Sequence, residues 1–187
     1  GIRLDSRTLA AMEHTLSSEI TELQQQIYSM VGYELNIGSP AQLAEALFVK
    51  LQLPTAGIKK GKTGYSTGQK ELDKLRPHHP IIGLVERYRE LTKLQNTYVQ
   101  ALPQLTDDAG YIHTTFNQDV VATGRLSSTD PNLQNIPIRS ELGRHVRDAF
   151  VPAPGNVFVN ADYSQFELRL AAVLSGEEAM IRDFNTD

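Results

Sequence analysis

The sequence predicts an α+β fold in which a helical N-terminal part precedes a part that contains short strands. Two observations establish the helical part. Leu9, Met12, Leu16, Ile20, Leu23, Ile27 and Met30 recur at steps of three and four, and Ile81, Val85, Tyr88, Leu91, Gln95 and Tyr98 form a second series of that kind. A third observation marks the change of class. Beyond a boundary near Leu105 to Gly110 the spacing gives way to apolar alternation broken by glycine and proline, as strands and turns require. With 187 residues and 40% hydrophobic content, the chain has material for one or two domains.

The first series predicts an amphipathic helix over residues 6 to 31, with a narrow apolar seam and Gly32 as its stop. Ser39-Pro40-Ala41-Gln42 has the form of a capping box with proline at the first helical position, and Leu43, Leu47 and Leu51 line one face beyond it. Pro54 to Gly64 reads as a flexible lysine- and glycine-rich loop. Ser66-Thr67-Gly68-Gln69 repeats the capping-box form and opens a short helix through Leu75. Pro80 starts the second long helix, and Pro103 marks its end or a point just past it. In the second part, Tyr111 to Phe116, Val146 to Val151 and Val157 to Ala161 read as strands. Leu168, Ala171, Ala172 and Leu174 then predict a helix that Gly176 stops.

Charge narrows the functional classes. The formal net charge is −4, which taken alone argues against nucleic acid. Yet the cations Lys50, Lys59, Lys60, Lys62, Lys70, Lys74 and Arg76 cluster against only Glu71 and Asp73. The acids gather on the first helix (Glu13, Glu19, Glu22) and near the C-terminal end (Glu177, Glu178, Asp183, Asp187). Binding responds to local potential, so segregated charge keeps a polyanion among the candidate partners. Zero cysteines exclude disulfides and thiolate metal sites, consistent with a cytoplasmic protein. No apolar run approaches the roughly 20 residues of a membrane span, and the first residues lack a signal-peptide core. The five histidines form no metal-ligand spacing.

The chemistry concentrates in NADYSQFELRLAAVLSG, Asn160 to Gly176. Asp162 ends the apolar Val157 to Ala161 segment, and Glu167 follows as a helix begins. A strand-end carboxylate can hold Mg²⁺ without an all-protein cage, because Mg²⁺ retains waters and takes substrate phosphates as ligands. Alternatively, Asp162 caps the helix and Glu167 is a first-turn acid favoured by the helix dipole. Upstream, Gly124 allows a tight turn beside Arg125 in TGRLSS, and a guanidinium there can donate to the minor-groove acceptors shared by all base pairs. Its plain alternative is a surface salt bridge. Asp130 and Asn132 favour a turn around Pro131. Lys59, Lys60 and Lys62, interleaved with Gly57, Gly61 and Gly64, suit phosphate pairing or simply a solvated loop.

DYSQFELR resembles the first catalytic motif of the family A DNA polymerases, usually written DYSQIELR, and ATGRLSSTDPNLQNIPIR, Ala122 to Arg139, resembles that family's minor-groove and primer-binding motif. Their order and separation resemble the bacterial DNA polymerase I branch. The resemblance implies a helical thumb subdomain over residues 1 to 108 and an incomplete antiparallel-sheet palm over 109 to 187. It implies that Asp162, with the backbone carbonyl of Tyr163, ligates catalytic Mg²⁺ in a two-metal site. Ser164, Gln165 and Glu167 would meet the nucleotide, with Glu167 as a steric gate against a ribose 2′-hydroxyl. Arg125, Asn132, Gln134 and Asn135 would contact DNA in the groove, and Lys59, Lys60, Lys62, Ser66 and Thr67 would contact its phosphates. Arg139, Arg144 and Arg147 are further duplex candidates, and His113, in IHTTFNQ, resembles a strand residue near the primer. Phe166 departs from the family's aliphatic residue, which puts sugar discrimination in question. After Asp162 no counterpart of the family's nucleotide-binding helix or second catalytic carboxylate follows, so the chain is expected to be a polymerase fragment, inactive alone. Its partners would be primer–template DNA, a deoxynucleoside triphosphate and the remainder of the polymerase, with no membrane, in a bacterial cytoplasm at the nucleoid. The alternatives are a non-catalytic duplex-binding module and a helical structural protein.

Overall fold

A computed structural model describes residues 1–62, 64–138 and 140–186. Helix α1 spans Ser6–Val31 and is bounded much as its sequence predicts. Asp5 accepts the Arg7 N–H at its start, and Gly32, in the left-handed region at φ 89°, closes its end by donating to the Tyr28 carbonyl. Its buried stripe is Leu9, Leu16, Ile20, Leu23, Ile27 and Val31; Met30, expected inward, is exposed while Val31 takes its place.

Helix α2 (Pro40–Ala44) runs straight into a π-helical segment, Glu45–Lys50, in which the Leu51 N–H reaches the Ala46 carbonyl. Ser39 caps it by accepting from Gln42 N, but the Gln42 amide oxygen accepts from Asn36 N rather than from Ser39. The second expected capping box does not form. Helix α3 (Gln69–Leu75) is preceded by Gly68 without a side-chain cap, since the Ser66 hydroxyl folds into a local turn on Gly68 N. Helix α4 (Ile81–Leu94) passes into a second π-helical segment, Gln95–Val99, and then α5 (Ala101–Gln104), which contains Pro103 rather than ending before it. Arg87 of α4 pairs with Glu19 of α1 at 2.8 Å, and Gln95 and Gln100 donate to Ser17 and Glu13, so two acids of α1 face this seam.

Two buried clusters form along the seam. One gathers Ile27, Val31, Leu43, Leu47, Leu72 and Ile81 with their neighbours. The other gathers Leu9, Leu16, Leu91, Tyr98, Leu102 and Val146. At about 25 cal/mol per Å² of apolar surface buried, such clusters are the main favourable term holding the helices together.

The strands are shorter and differently placed than expected. Strand β1 (Ile2–Leu4), unforeseen in the sequence, is the centre of an antiparallel sheet between β4 (Tyr111–Ile112) and β7 (Phe150–Val151). Strands β2 (Lys60–Gly61) and β3 (Gly64–Tyr65) make a small hairpin. Strands β5 (Thr115–Asn117) and β6 (Ser127–Thr129) make another. Tyr111 to Phe116 is therefore split between two sheets, with His113 outside both and paired to Asp107 at 2.8 Å.

Val146 to Val151 is not one strand. Its first half closes helix α6 (Glu141–Asp148), capped by the Ser140 hydroxyl, with Val146 fully buried; only Phe150–Val151 pairs. Helical spacing from Leu142 to Val146 overrides the apparent alternation. Gly143 lies so close to Pro137 that a Cβ there would meet the proline Cβ at 2.5 Å.

The chain divides into two compact units, Gly1–Ala153 and Pro154–Asp187. The second unit holds helices α7 (Phe166–Ser175) and α8 (Glu178–Thr186), the latter unforeseen. Gly176 ends α7 at φ 68°, as expected. Val157 to Ala161 is not a strand: it is unpaired among the described residues, and Val157 and Val159 are 79% and 87% exposed. Apolar residues suit a sheet, but a ladder also needs a partner for its N–H and C=O groups. No helix is long and apolar enough to cross a membrane among the described residues.

Candidate nucleic-acid interface

The lysine run is better ordered than a flexible loop. Lys59, Lys60 and Lys62 are exposed around the β2–β3 hairpin, whose base is fixed by the buried Ile58. Glu71 of α3 holds that base, accepting from the Lys59 N–H at 3.4 Å and from the Lys74 ammonium at 2.8 Å; Lys74 also reaches the Gly57 carbonyl. The Lys60 ammonium lies 5.2 Å from the centre of the Tyr65 ring. Behind the hairpin is a cleft of about 440 Å³, lined in part by Lys59, Tyr65, Ser66, Thr67 and Arg89. Thr67 is buried, and the Arg89 guanidinium donates to both its carbonyl and its hydroxyl oxygen. Its side chain therefore faces inward rather than towards a phosphate on the surface. Burial lowers the Arg89 pKa from its ordinary value.

Glu71 sets a pH dependence for the hairpin. The hydrogen bond from Lys74, foremost, and then that from the Lys59 amide hold its carboxyl below the ordinary glutamate value. A depressed carboxyl contributes stability that is complete above its unfolded-state pKa and fades as pH falls through the folded one. Amide exchange at Lys59 is expected to speed up, relative to unanchored loops, as pH falls through and below the ordinary carboxylate range. Glu71→Gln should remove that acid dependence; an unchanged profile would contradict the anchor.

The second cluster surrounds the β5–β6 hairpin. Arg125 is exposed at its turn, just after Gly124 at φ 74°. Downstream, the backbone is fastened from its inner side. Ser128, 1% exposed, donates to the Pro131 carbonyl and accepts from the Leu133 N–H. The Thr114 hydroxyl lies 2.7 Å from that of Ser128 and donates to the same Pro131 carbonyl. Asn132 accepts from Gln134 N, and the Tyr98 hydroxyl donates to the Asn135 carbonyl. Leu133 and Ile136 pack against the second cluster, while Asn132, Gln134 and Asn135 are exposed. Alternate residues thus anchor and present. Tyr98 was legible as an inward helix residue, but nothing in its spacing reveals its hydroxyl's partner, and Thr114 and Ser128 carried no signal at all. Arg144 and Arg147 lie exposed on α6; Arg139 lies outside the described residues.

In the second unit Asp162, Tyr163, Ser164, Gln165 and Glu167 come together by sequence at the start of α7, and all are exposed. Asp162 lies in irregular chain before α7, without the strand that was expected to fix it. Gln165 adopts the left-handed region at φ 52°, and Glu167 lies in the first turn. Arg169 donates to the Ser164 carbonyl at 3.0 Å and stacks its guanidinium on Phe184. The Phe166 ring rests 5.5 Å from the Tyr163 ring, so the departure at 166 is taken up against a neighbour in the motif. Of the predicted inward face, only Ala172 is buried; Leu168 and Leu174 are exposed. No three His, Asp or Glu side chains converge to hold a metal among the described residues.

Comparison with known proteins agrees with these motifs. A family model described as DNA polymerase family A matches residues 6–187. DNA polymerase I of Bacillus caldotenax is 46% identical, over 100% of this chain and 21% of its own length. The thermostable DNA polymerase I of Thermus thermophilus is 48% identical, over 98% of this chain and 22% of its own. The chain thus spans about a fifth of these curated relatives. Among solved structures, the POL domain of Pol1 from M. smegmatis, in complex with DNA primer-template and dNTP, superposes with a TM-score of 0.87 at 43% identity, covering 100% of this chain and 33% of that one.

Proposed function

Since the chain belongs to DNA polymerase family A, we propose that it is a segment of a template-directed DNA polymerase that grips the primer–template duplex and supplies part of the catalytic site. The observation that carries this reading is the outward row Asn132, Gln134 and Asn135 on a backbone fastened from beneath. Amide and guanidinium donors so held suit purine N3 and pyrimidine O2, which lie at nearly the same place in every base pair. They test pairing geometry and ignore sequence. Lys59, Lys60 and Lys62 with Ser66 would pair with phosphates, which positions the duplex without reading it. In this reading residues 1 to 108 act as a thumb and 109 to 187 as the opening part of a palm. The polymerase would work in a bacterial cytoplasm at the nucleoid.

Asp162 and the Tyr163 carbonyl would supply one side of a two-metal Mg²⁺ site, where such ions stabilise the attacking and leaving oxygens of phosphoryl transfer. Glu167 would fill the space of a ribose 2′-hydroxyl, with Ser164 and Gln165 beside the incoming triphosphate. The other ligands and the nucleotide-gripping helix would come from the remainder of the polymerase. The chain by itself would thus bind duplex without extending it. The alternative reading is a non-catalytic duplex-binding module that uses the same surfaces without chemistry.

Fluorescence anisotropy with a labelled primer–template duplex tests the interface. Binding is expected to be indifferent to sequence and to weaken steeply with salt, and each lysine that neutralises a phosphate adds about 0.9 to the slope of log K against log salt. Replacing Lys59, Lys60 and Lys62 by alanine should lower that slope by roughly two to three. Binding that ignores salt, or that needs one sequence, would sink the proposal.

A further inference from the structure

The hydroxyl of Tyr98 belongs to the helical part of the chain, yet its hydrogen bond goes to the segment that presents the amides. Tyr98 lies in the π-helical segment Gln95–Val99, is 5% exposed, and donates to the Asn135 carbonyl at 2.5 Å across 37 residues of sequence. Burial raises its pKa from the ordinary tyrosine value, so the phenol keeps its proton to donate. Van der Waals packing alone would be served as well by phenylalanine.

We propose that Tyr98 is a positioning residue for duplex recognition, holding the segment from Asn132 to Asn135 in the register that turns its amides outward. The inference rests on the interface reading above. Without this bond, Asn135 keeps the apolar anchors on either side, Leu133 and Ile136, but its carbonyl loses this tie to the helical part. Rotation about the flanking peptide would then swing the Gln134 and Asn135 side chains. Groove acceptors sit at fixed places, so an amide displaced by an ångström no longer meets them. Ser128 restrains the same segment from its other end through Pro131 and Leu133. Tyr98 and Ser128 thus clamp a short stretch between two pins.

The test uses this chain with Tyr98→Phe, and separately with Ser128→Ala, at a temperature where thermal melts show every variant fully folded. Affinity is measured by anisotropy for a duplex with a matched primer terminus and for one with a terminal mismatch, across a salt series. One neutral hydrogen bond accounts for roughly a two- to tenfold change. Tyr98→Phe is expected to weaken matched binding by about that factor, to lose most of the matched-to-mismatched ratio, and to leave the salt slope unchanged because no phosphate contact is lost. Ser128→Ala should act in the same direction. A role in stability alone would lower the melting temperature and leave both affinity and ratio intact, which would overturn the proposal. A slope reduced by about one would make the hydroxyl a phosphate contact and would overturn it too. Wild-type protein that fails to bind any duplex would sink the interface reading itself. Wild-type binding that both variants leave unaltered would remove the positioning role alone.

Discussion

Replacing Asp162 by alanine in a complete polymerase that carries this segment is expected to abolish primer extension while leaving duplex binding near normal. On the proposed reading the carboxylate is a metal ligand, and a metal-centred site supplies several kcal/mol of transition-state charge stabilisation. Losing that contribution slows synthesis by about a thousandfold or more, since each 1.4 kcal/mol is a factor of ten. On the same reading duplex binding would depend instead on Lys59, Lys60, Lys62, Arg125 and the 132–135 segment, all within Gly1–Ala153, whereas Asp162 lies within Pro154–Asp187. The two readouts should therefore separate. On the fragment reading the isolated chain should not extend a primer with any divalent ion, because two-metal phosphoryl transfer needs ligands from both sides of the site. Gel-based extension with both proteins decides the matter. Near-normal synthesis with alanine at 162 would remove the central residue of the assignment, and extension by the isolated chain would remove the fragment reading.

What the sequence revealed follows the range of the interactions involved. The α1 seam, the Gly32 and Gly176 stops and the Ser39-Pro40 start are decided within a few residues, and each is found where local spacing puts it. The sheet β4-β1-β7 joins residues about a hundred and more positions apart, and three-residue strands carry too little alternation to announce their partners. Val146 to Val151 shows the competing case. Its alternation is real, but the Ser140 cap and the Pro137 contact at Gly143 commit its first half to a helix. The site divides in the same way. Arg125, Asn132, Gln134 and Asn135 could be picked out as candidate donors from residue type alone, and the structure leaves all four exposed. Their support could not be picked out in this way, because Tyr98, Thr114 and Ser128 act through hydrogen bonds that close only in three dimensions. At Thr67 the hydroxyl and position suit a phosphate in the sequence, while the hydrogen bond it accepts from Arg89 emerges only in three dimensions.

Glu167→Ala, made in the same complete polymerase, is expected to leave extension with deoxynucleotides largely intact and to raise incorporation of ribonucleotides. The two acids lie five residues apart in sequence but would do unlike things. Asp162 would act by attraction to a metal, so its removal costs the reaction itself. Glu167, fixed in the first turn of α7, would act by occupying space, so its removal costs only the exclusion of a larger sugar. Steric discrimination over one small substituent is worth about 1 to 3 kcal/mol, or roughly 10- to 200-fold in relative kcat/KM. Phe166 tests the same gate from its neighbour's side. Its ring already leans on Tyr163, and exchanging it for isoleucine should tune the ribonucleotide ratio by less than the loss of the Glu167 side chain does. Single-nucleotide insertion assays with paired ribo- and deoxynucleoside triphosphates give both numbers. An alanine at 167 that slowed both substrates equally would mean that Glu167 serves the reaction or the helix, and the gate assignment would have to be abandoned.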